Sequence, residues 1–237
     1  VRVHQLVLND EGWLMAAPFE FDGETITDAA IASKASIADA DIAGDYQFMR
    51  HQYGQNTKAK AFETPVNITL NADGTITGAE KGTWKRTAGT DYIHLTINNV
   101  VYRGVLVKQT VDYTNIPAIA ISALSSSSGS LTMGQNNFTY QQEVWAVKAD
   151  AKAAIKYTLS KMTLPFSDGA TLNAAPSLPV QGKMGANISW KSSDTSILTD
   201  EGKVKGKGKV TMTMTISKDE YEYVKDYSLN IDAEAEE

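Results

Sequence analysis

The 237-residue chain contains no cysteine. Disulfide frameworks, zinc–thiolate sites and thiol nucleophiles are excluded at once. A chain without thiols is compatible with bacterial export, where stray thiols are a liability in an oxidising compartment. Histidine is scarce: His4, His51 and His94 lie too far apart in sequence for a local metal motif. Positive charge is in deficit, with 22 Lys and Arg against 28 Asp and Glu and a formal net charge of −6. That balance argues against a nucleic-acid partner, since affinity for phosphates needs clustered Lys and Arg. No apolar run approaches the roughly 20 residues of a membrane span. What remains is 42% hydrophobic, with a mean hydropathy of −0.27. This describes a soluble globular protein, long enough for one large β domain or two ordinary ones.

The strongest pattern is alternation. Val1–Leu8 reads as a strand, Asn9-Asp10-Glu11-Gly12 as a turn, and Trp13-Leu14-Met15 as the returning strand. Residues 22–43 are rich in Ala, Ser, Thr and Asp and read as a connector. From Gly44 to Lys148 short strands follow one another. Val66, Ile68 and Leu70 alternate with polar residues, then Asp73-Gly74 marks a hairpin. Ile93, Leu95 and Ile97 alternate with Tyr92, His94 and Thr96, and Asn98-Asn99 turns the chain again. About eight such strands predict an antiparallel barrel or sandwich. Asp150–Ser160 is the best helix signal. Beyond it, Val210, Met212, Met214 and Ile216 alternate with Thr211, Thr213, Thr215 and Ser217. About seven strands around a buried Trp190 predict an immunoglobulin-like sandwich.

Few residues carry a chemical signal. Glycoside hydrolysis needs two carboxyl groups about 5–9 Å apart. Glu63, Glu80, Asp91, Asp112 and Glu143 lie near strand ends, and a solvated surface explains them better. Asp39–Asp45 mimics the start of a calcium loop, but Ala43 and Arg50 stand where oxygen ligands are required. Ser126–Ser130 lacks the nucleophile-elbow pattern. Lys203, Lys205, Lys207 and Lys209 alternate with small residues; in a strand they form a charged guard against edge pairing. No catalytic or metal residue and no cofactor is expected. Sugars stack on exposed aromatics, so Tyr53, Tyr113, Tyr140 and Trp145 are the candidate carbohydrate contacts, while Trp84 and Trp190 read as core.

Two stretches resemble known families. VHQLVLNDEGWLMAAPFEF (Val3–Phe21), IAGDYQF (Ile42–Phe48), Gly82–Trp84 and IHLTINNVVYRGVLVKQ (Ile93–Gln109) resemble the C-terminal region of bacterial family 43 endo-α-1,5-L-arabinanases. The resemblance implies a lipocalin-like β-barrel behind a catalytic propeller, with residues 1–21 as the strand pair that ends that propeller. Ser177–Ser217, through ISWKSSDTSIL and DEGKV, resembles the atrophied bacterial immunoglobulin-like domains of secreted polysaccharide-degrading enzymes. The expected architecture is all-β: a strand pair at 1–21, a barrel at 22–149, an immunoglobulin-like domain at 150–232 and an acidic tail at 233–237. The expected role is a non-catalytic accessory region of a secreted arabinan-degrading hydrolase; a carbohydrate-binding module is the alternative. The partners this implies are an upstream catalytic domain and a plant polysaccharide, with no nucleic acid and no membrane span. The implied location is extracellular, periplasmic or on a bacterial surface.

Overall fold

The computed structural model of the protein describes residues 3–21, 23, 34–51, 64–126, 131–133 and 138–235, the side chains of 131–133 and 138–140 excepted. The chain divides into two compact units, Val1–Asp150 and Ala151–Glu237.

The first unit opens with an antiparallel hairpin, β1 (His4–Leu8) and β2 (Leu14–Glu20), in which Val7 pairs with Met15 and Leu8 with Leu14. Eight further strands close a barrel: β3 (Gly44–Arg50), β4 (Val66–Leu70), β5 (Thr75–Gly78), β6 (Gly82–Arg86), β7 (Tyr92–Ile97), β8 (Val100–Thr110), β9 (Pro117–Ser125) and β12 (Glu143–Ala149). Each pairs antiparallel with its neighbour, and β12 returns between β9 and β3. A small ribbon, β10 (Leu131–Met133) with β11 (Phe138–Tyr140), lies in the connection before β12.

The alternation in sequence is the inside–outside code of this barrel. Ile93, Leu95 and Ile97 are fully buried, while Tyr92, His94 and Thr96 face out. With Tyr46, Phe48, Ile68, Leu70, Tyr102 and Ile121 they form one continuous core. An eight-stranded barrel is just wide enough for side chains to fill or for one small ligand, and the described inward side chains form a single cluster. Gly82 is needed where β6 meets β7, since a Cβ there would sit 1.8 Å from the Thr96 carbonyl oxygen. Asn98 and Asn99 both take positive φ, 51° and 64°, in the tight turn between β7 and β8.

The chain before β3 plugs one end of the barrel. Ile37 and Ile42 join the core. Asp91 accepts from the Ser36 amide (2.8 Å), the Ser36 hydroxyl (2.6 Å) and Arg86 Nη2 (2.7 Å). The segment with a superficial calcium-loop pattern is a 3-10 turn, Asp39–Asp41, and Asp39 pairs with Arg86.

In the second unit, α1 (Ala151–Lys161) precedes a four-stranded sheet in the order β13 (Thr171–Leu172), β16 (Tyr221–Ile231), β15 (Gly208–Lys218), β14 (Asn187–Ser192). Val210, Met212, Met214 and Ile216 are buried on one face with Ile188, Trp190, Tyr227 and Leu229. The sequence pattern predicts about seven strands for a sandwich; the sheet holds four. Ile155 of α1 closes the other side of this core together with Phe166, Leu178, Leu198 and Val204. The intervening segments are punctuated by Pro176, Pro179, Gly182, Gly185, Gly202 and Gly206. Proline and glycine weaken a ladder, and pairing there is reduced to the bridges Gln181–Asn187 and Leu198–Val204. The lysine row also departs from its expectation. Lys203, Lys205 and Lys207 precede the start of β15 and only Lys209 lies in a strand, although all four are exposed. Lys207 pairs with Asp232 (3.3 Å) and Glu234 (2.7 Å).

Candidate functional site

The site that stands out in the first unit is the seat of the hairpin on the barrel wall. Asn9, only 2% exposed, builds the turn. Its Oδ1 accepts from the amides of Glu11 (3.0 Å) and Trp13 (2.9 Å), and its Nδ2 donates to the Arg103 carbonyl (3.3 Å). The turn thus aims two carboxylates at the barrel. Asp10 Oδ2 lies 2.9 Å from Arg103 Nη1 and 2.7 Å from His94 Nε2. Glu11 Oε1 lies 2.9 Å from Arg103 Nε, off the N–H direction, so that contact is ionic rather than a hydrogen bond. The Ser126 hydroxyl donates to Glu11 (3.1 Å). Further along, Val7 and Met15 pack on Val105 and Val107, and the Ser122 hydroxyl donates to the Ala16 carbonyl (2.9 Å).

One hairpin face is thereby spent. The other residues are apolar and in water: Leu6 is 63% exposed and Leu14 65%, with Val3, Leu8 and Trp13 also exposed. An apolar group of this kind on a short, well-anchored sheet marks an interaction surface.

At the barrel end reached by β3, an ionic cluster faces inward. Arg50 pairs with Glu80 and lies 5.1 Å over the Phe48 ring. Asn98 Nδ2 donates to Glu80 (3.1 Å), and Tyr102 donates to Gln142 Oε1 (2.9 Å). The Arg50 hydrogen bond holds the Glu80 carboxyl below its ordinary value of 4.5. The pair therefore stabilises the barrel above about pH 4.5, and its contribution is lost as pH falls through the depressed folded value. Beside it, burial lowers the pKa of His51, whose ring meets Trp145 edge-on at 4.2 Å. Its neutral form favours folding at neutral pH, and this advantage declines as pH falls below 6.5. Both groups weaken the barrel on acidification. Glu80→Gln should cost about 1–3 kcal/mol at pH 7 by leaving Arg50 underpaired. It should also flatten the acid limb of a melting-temperature profile, which an unaltered limb would contradict.

The carboxylates considered for hydrolysis are dispersed. Glu80 is paired with Arg50 and Asp91 with Arg86. Asp112 accepts from the Glu20 amide (2.7 Å), and Glu143 from the Trp145 indole (3.2 Å). Glu63 lies outside the described residues. Among the described residues no group of three or more His, Asp or Glu side chains could hold a metal ion.

The candidate sugar contacts are likewise not assembled. Tyr113 is 83% exposed in the turn between β8 and β9. Trp145 is half-buried on the outer wall near the opposite end, flanked in sequence by the inward Val144 and Ala146. Tyr53 lies outside the described residues, and so does the side chain of Tyr140. Sequence reasoning read Asn9–Gly12 only as a turn and His94 as a surface histidine. It missed the clamp they form with Arg103, which comes from 93 residues away from Asp10.

The first unit is thus a closed eight-stranded antiparallel barrel and the second a helix packed on a four-stranded sheet. Comparison with known proteins makes this specific. Residues 18–134 match the C-terminal lipocalin-like domain of glycoside hydrolase family 43, and residues 149–234 match the atrophied bacterial Ig domain. The chain is 42% identical over 113 residues to an extracellular endo-α-(1→5)-L-arabinanase of Thermotoga petrophila, which covers 46% of this chain and 21% of that protein. It is 34% identical over 127 residues to the extracellular endo-α-(1→5)-L-arabinanase 2 of Bacillus subtilis, covering 54% of this chain and 24% of that protein. The chain thus spans less than a quarter of these curated relatives. A crystal structure of a family 43 glycoside hydrolase from Bacillus licheniformis aligns over 62% of this chain and 27% of its own, at 34% identity and a TM-score of 0.47. No helix among the described residues is long and apolar enough to cross a membrane.

Proposed function

We propose that this chain is the non-catalytic accessory region of a secreted arabinan-degrading glycoside hydrolase, acting outside the bacterial cytoplasm. Its role is to seat and stabilise the catalytic domain that precedes it. The observation that carries this reading is the hairpin: clamped to the barrel through Asp10, Glu11, Arg103 and His94, it leaves Leu6 and Leu14 exposed. A hairpin ending a propeller would pair there with neighbouring strands and bury those residues. The two named arabinanase relatives supply the substrate class.

Two measurements test it. The chain alone should release no reducing sugar from debranched arabinan; turnover that follows the protein through repurification would overturn the accessory reading. Linked behind the catalytic domain of the Thermotoga petrophila arabinanase, the chain should raise that domain's melting temperature. Leu6→Asp with Leu14→Asp should abolish the gain while leaving the barrel's own transition in place. Equal stabilisation by the double variant would remove the hairpin from the interface.

A further inference from the structure

The outer wall of the barrel carries a polar groove of about 570 Å³ whose floor is formed by β6, β7 and β8. Register arranges its side chains in two cross-strand rows. Lys85 pairs with His94 and His94 with Arg103; Thr83 pairs with Thr96 and Thr96 with Val101. The rows are two residues apart along each strand, so they are separated by about 7 Å, and neighbours within a row by about 5 Å.

The first row holds the nitrogen-bearing side chains Lys85, His94 and Arg103, and two of the three are occupied. His94 and Arg103 face Asp10, and Arg103 also faces Glu11. Lys85 is different: it is exposed and has no carboxylate partner among the described residues. In the second row the hydroxyls of Thr83 and Thr96 make no hydrogen bond within the protein among the described residues. Asp73 at the rim is engaged, its Oδ1 accepting from the Thr75 amide (2.9 Å) and hydroxyl (2.6 Å). The groove therefore offers one unspent ammonium and, about 7 Å away, two unspent hydroxyls. Among the described residues lining the groove, the one broad aromatic ring is that of Trp84, which is half-buried against the barrel core and whose indole donates to the Asn71 carbonyl (2.9 Å).

The geometry points to a binding subsite for a carboxylate-bearing oligosaccharide. The carboxylate is held by Lys85 in a charge-assisted contact. The ring hydroxyls of the same sugar reach Thr83 and Thr96, because a uronic-acid ring spans about the distance between the rows. This rests on the reading that the chain serves a polysaccharide-degrading protein, and it adds an acidic sugar to the neutral arabinan of the relatives.

The test is an amide chemical-shift titration of the full chain with trigalacturonate and, in parallel, with neutral arabinotriose. Trigalacturonate should shift the amides of β6 and β7, with a dissociation constant on the order of 1 mM that weakens at raised salt. Lys85→Met should weaken binding about tenfold, as expected for a lost hydrogen bond to a charged group. Thr96→Val should weaken it less, with the fold of both variants intact because the side chains face solvent. An absent response, or equal binding of both sugars that ignores Lys85→Met, would overturn the subsite. The outcome is separable from the accessory role: a chain that ignores trigalacturonate yet stabilises the catalytic domain loses the groove and keeps the hairpin interface.

Discussion

Asp91→Ala should lower the melting transition of the barrel by about 10 °C while leaving that of the second unit in place. Asp91 is 3% exposed and takes three close hydrogen bonds, two from Ser36 and one from Arg86. The Arg86 side chain is itself only 8% exposed. Removing one partner of a buried pair costs about 3–5 kcal/mol, because the remaining charge stays out of water without compensation. Asp39 also touches Arg86, but its side chain is 90% exposed and cannot replace a buried carboxylate. The loss extends further, since Asp91 tethers the segment that carries Ile37 into the barrel end. For a unit of this size each kcal/mol moves the midpoint by about 2–4 °C. Asp91→Asn keeps the shape and one acceptor, so it should fall between wild type and alanine. Calorimetry resolves the outcome, and an unmoved barrel transition in Asp91→Ala would refute the tether.

The corresponding substitution in the second unit is Trp190→Ala. Trp190 is 7% exposed, and its indole donates to the Pro179 carbonyl (2.9 Å). Its ring packs against Phe166 (6.0 Å) and Tyr227 (5.9 Å) between centroids. Truncation of a buried aromatic costs about 3–5 kcal/mol, and the Pro179 carbonyl loses its donor as well. In a unit confined to Ala151–Glu237 the midpoint should fall by about 20 °C, since small domains move about 4–8 °C per kcal/mol. Trp190→Phe should recover most of the packing but not the hydrogen bond. A second-unit transition that survives the alanine substitution unchanged would mean that Trp190 is not part of the core.

How much of this could be read in advance depends on the range of the interaction. Period-two alternation placed Ile93, Leu95 and Ile97, and Val210 through Ile216, on buried faces, because side-chain direction in a strand is a local property of the backbone. The same locality made the Asp73-Gly74 and Asn98-Asn99 turns and the helix at Ala151–Lys161 legible. The strand count of the second unit was less so. Leu178 enters the core outside any strand, and Leu198 and Val204 enter it through a single isolated bridge, and periodicity carries no signal for such insertions.

By itself, then, the sequence determined a β-rich protein in two parts, without thiol chemistry and without a local metal motif. Only the tertiary structure decided which polar residues meet. Asp10 reaches Arg103, Arg50 reaches Glu80, and Arg86 joins Asp39 to Asp91. It also left Lys85 without a carboxylate partner among the described residues, in a groove where His94 and Arg103 both contact Asp10. The physical reason is that burial follows from the pattern of one strand, whereas charge pairing depends on which strands become neighbours. In a barrel those neighbours are set by closure, when β12 returns between β9 and β3, and no window of the sequence contains that event.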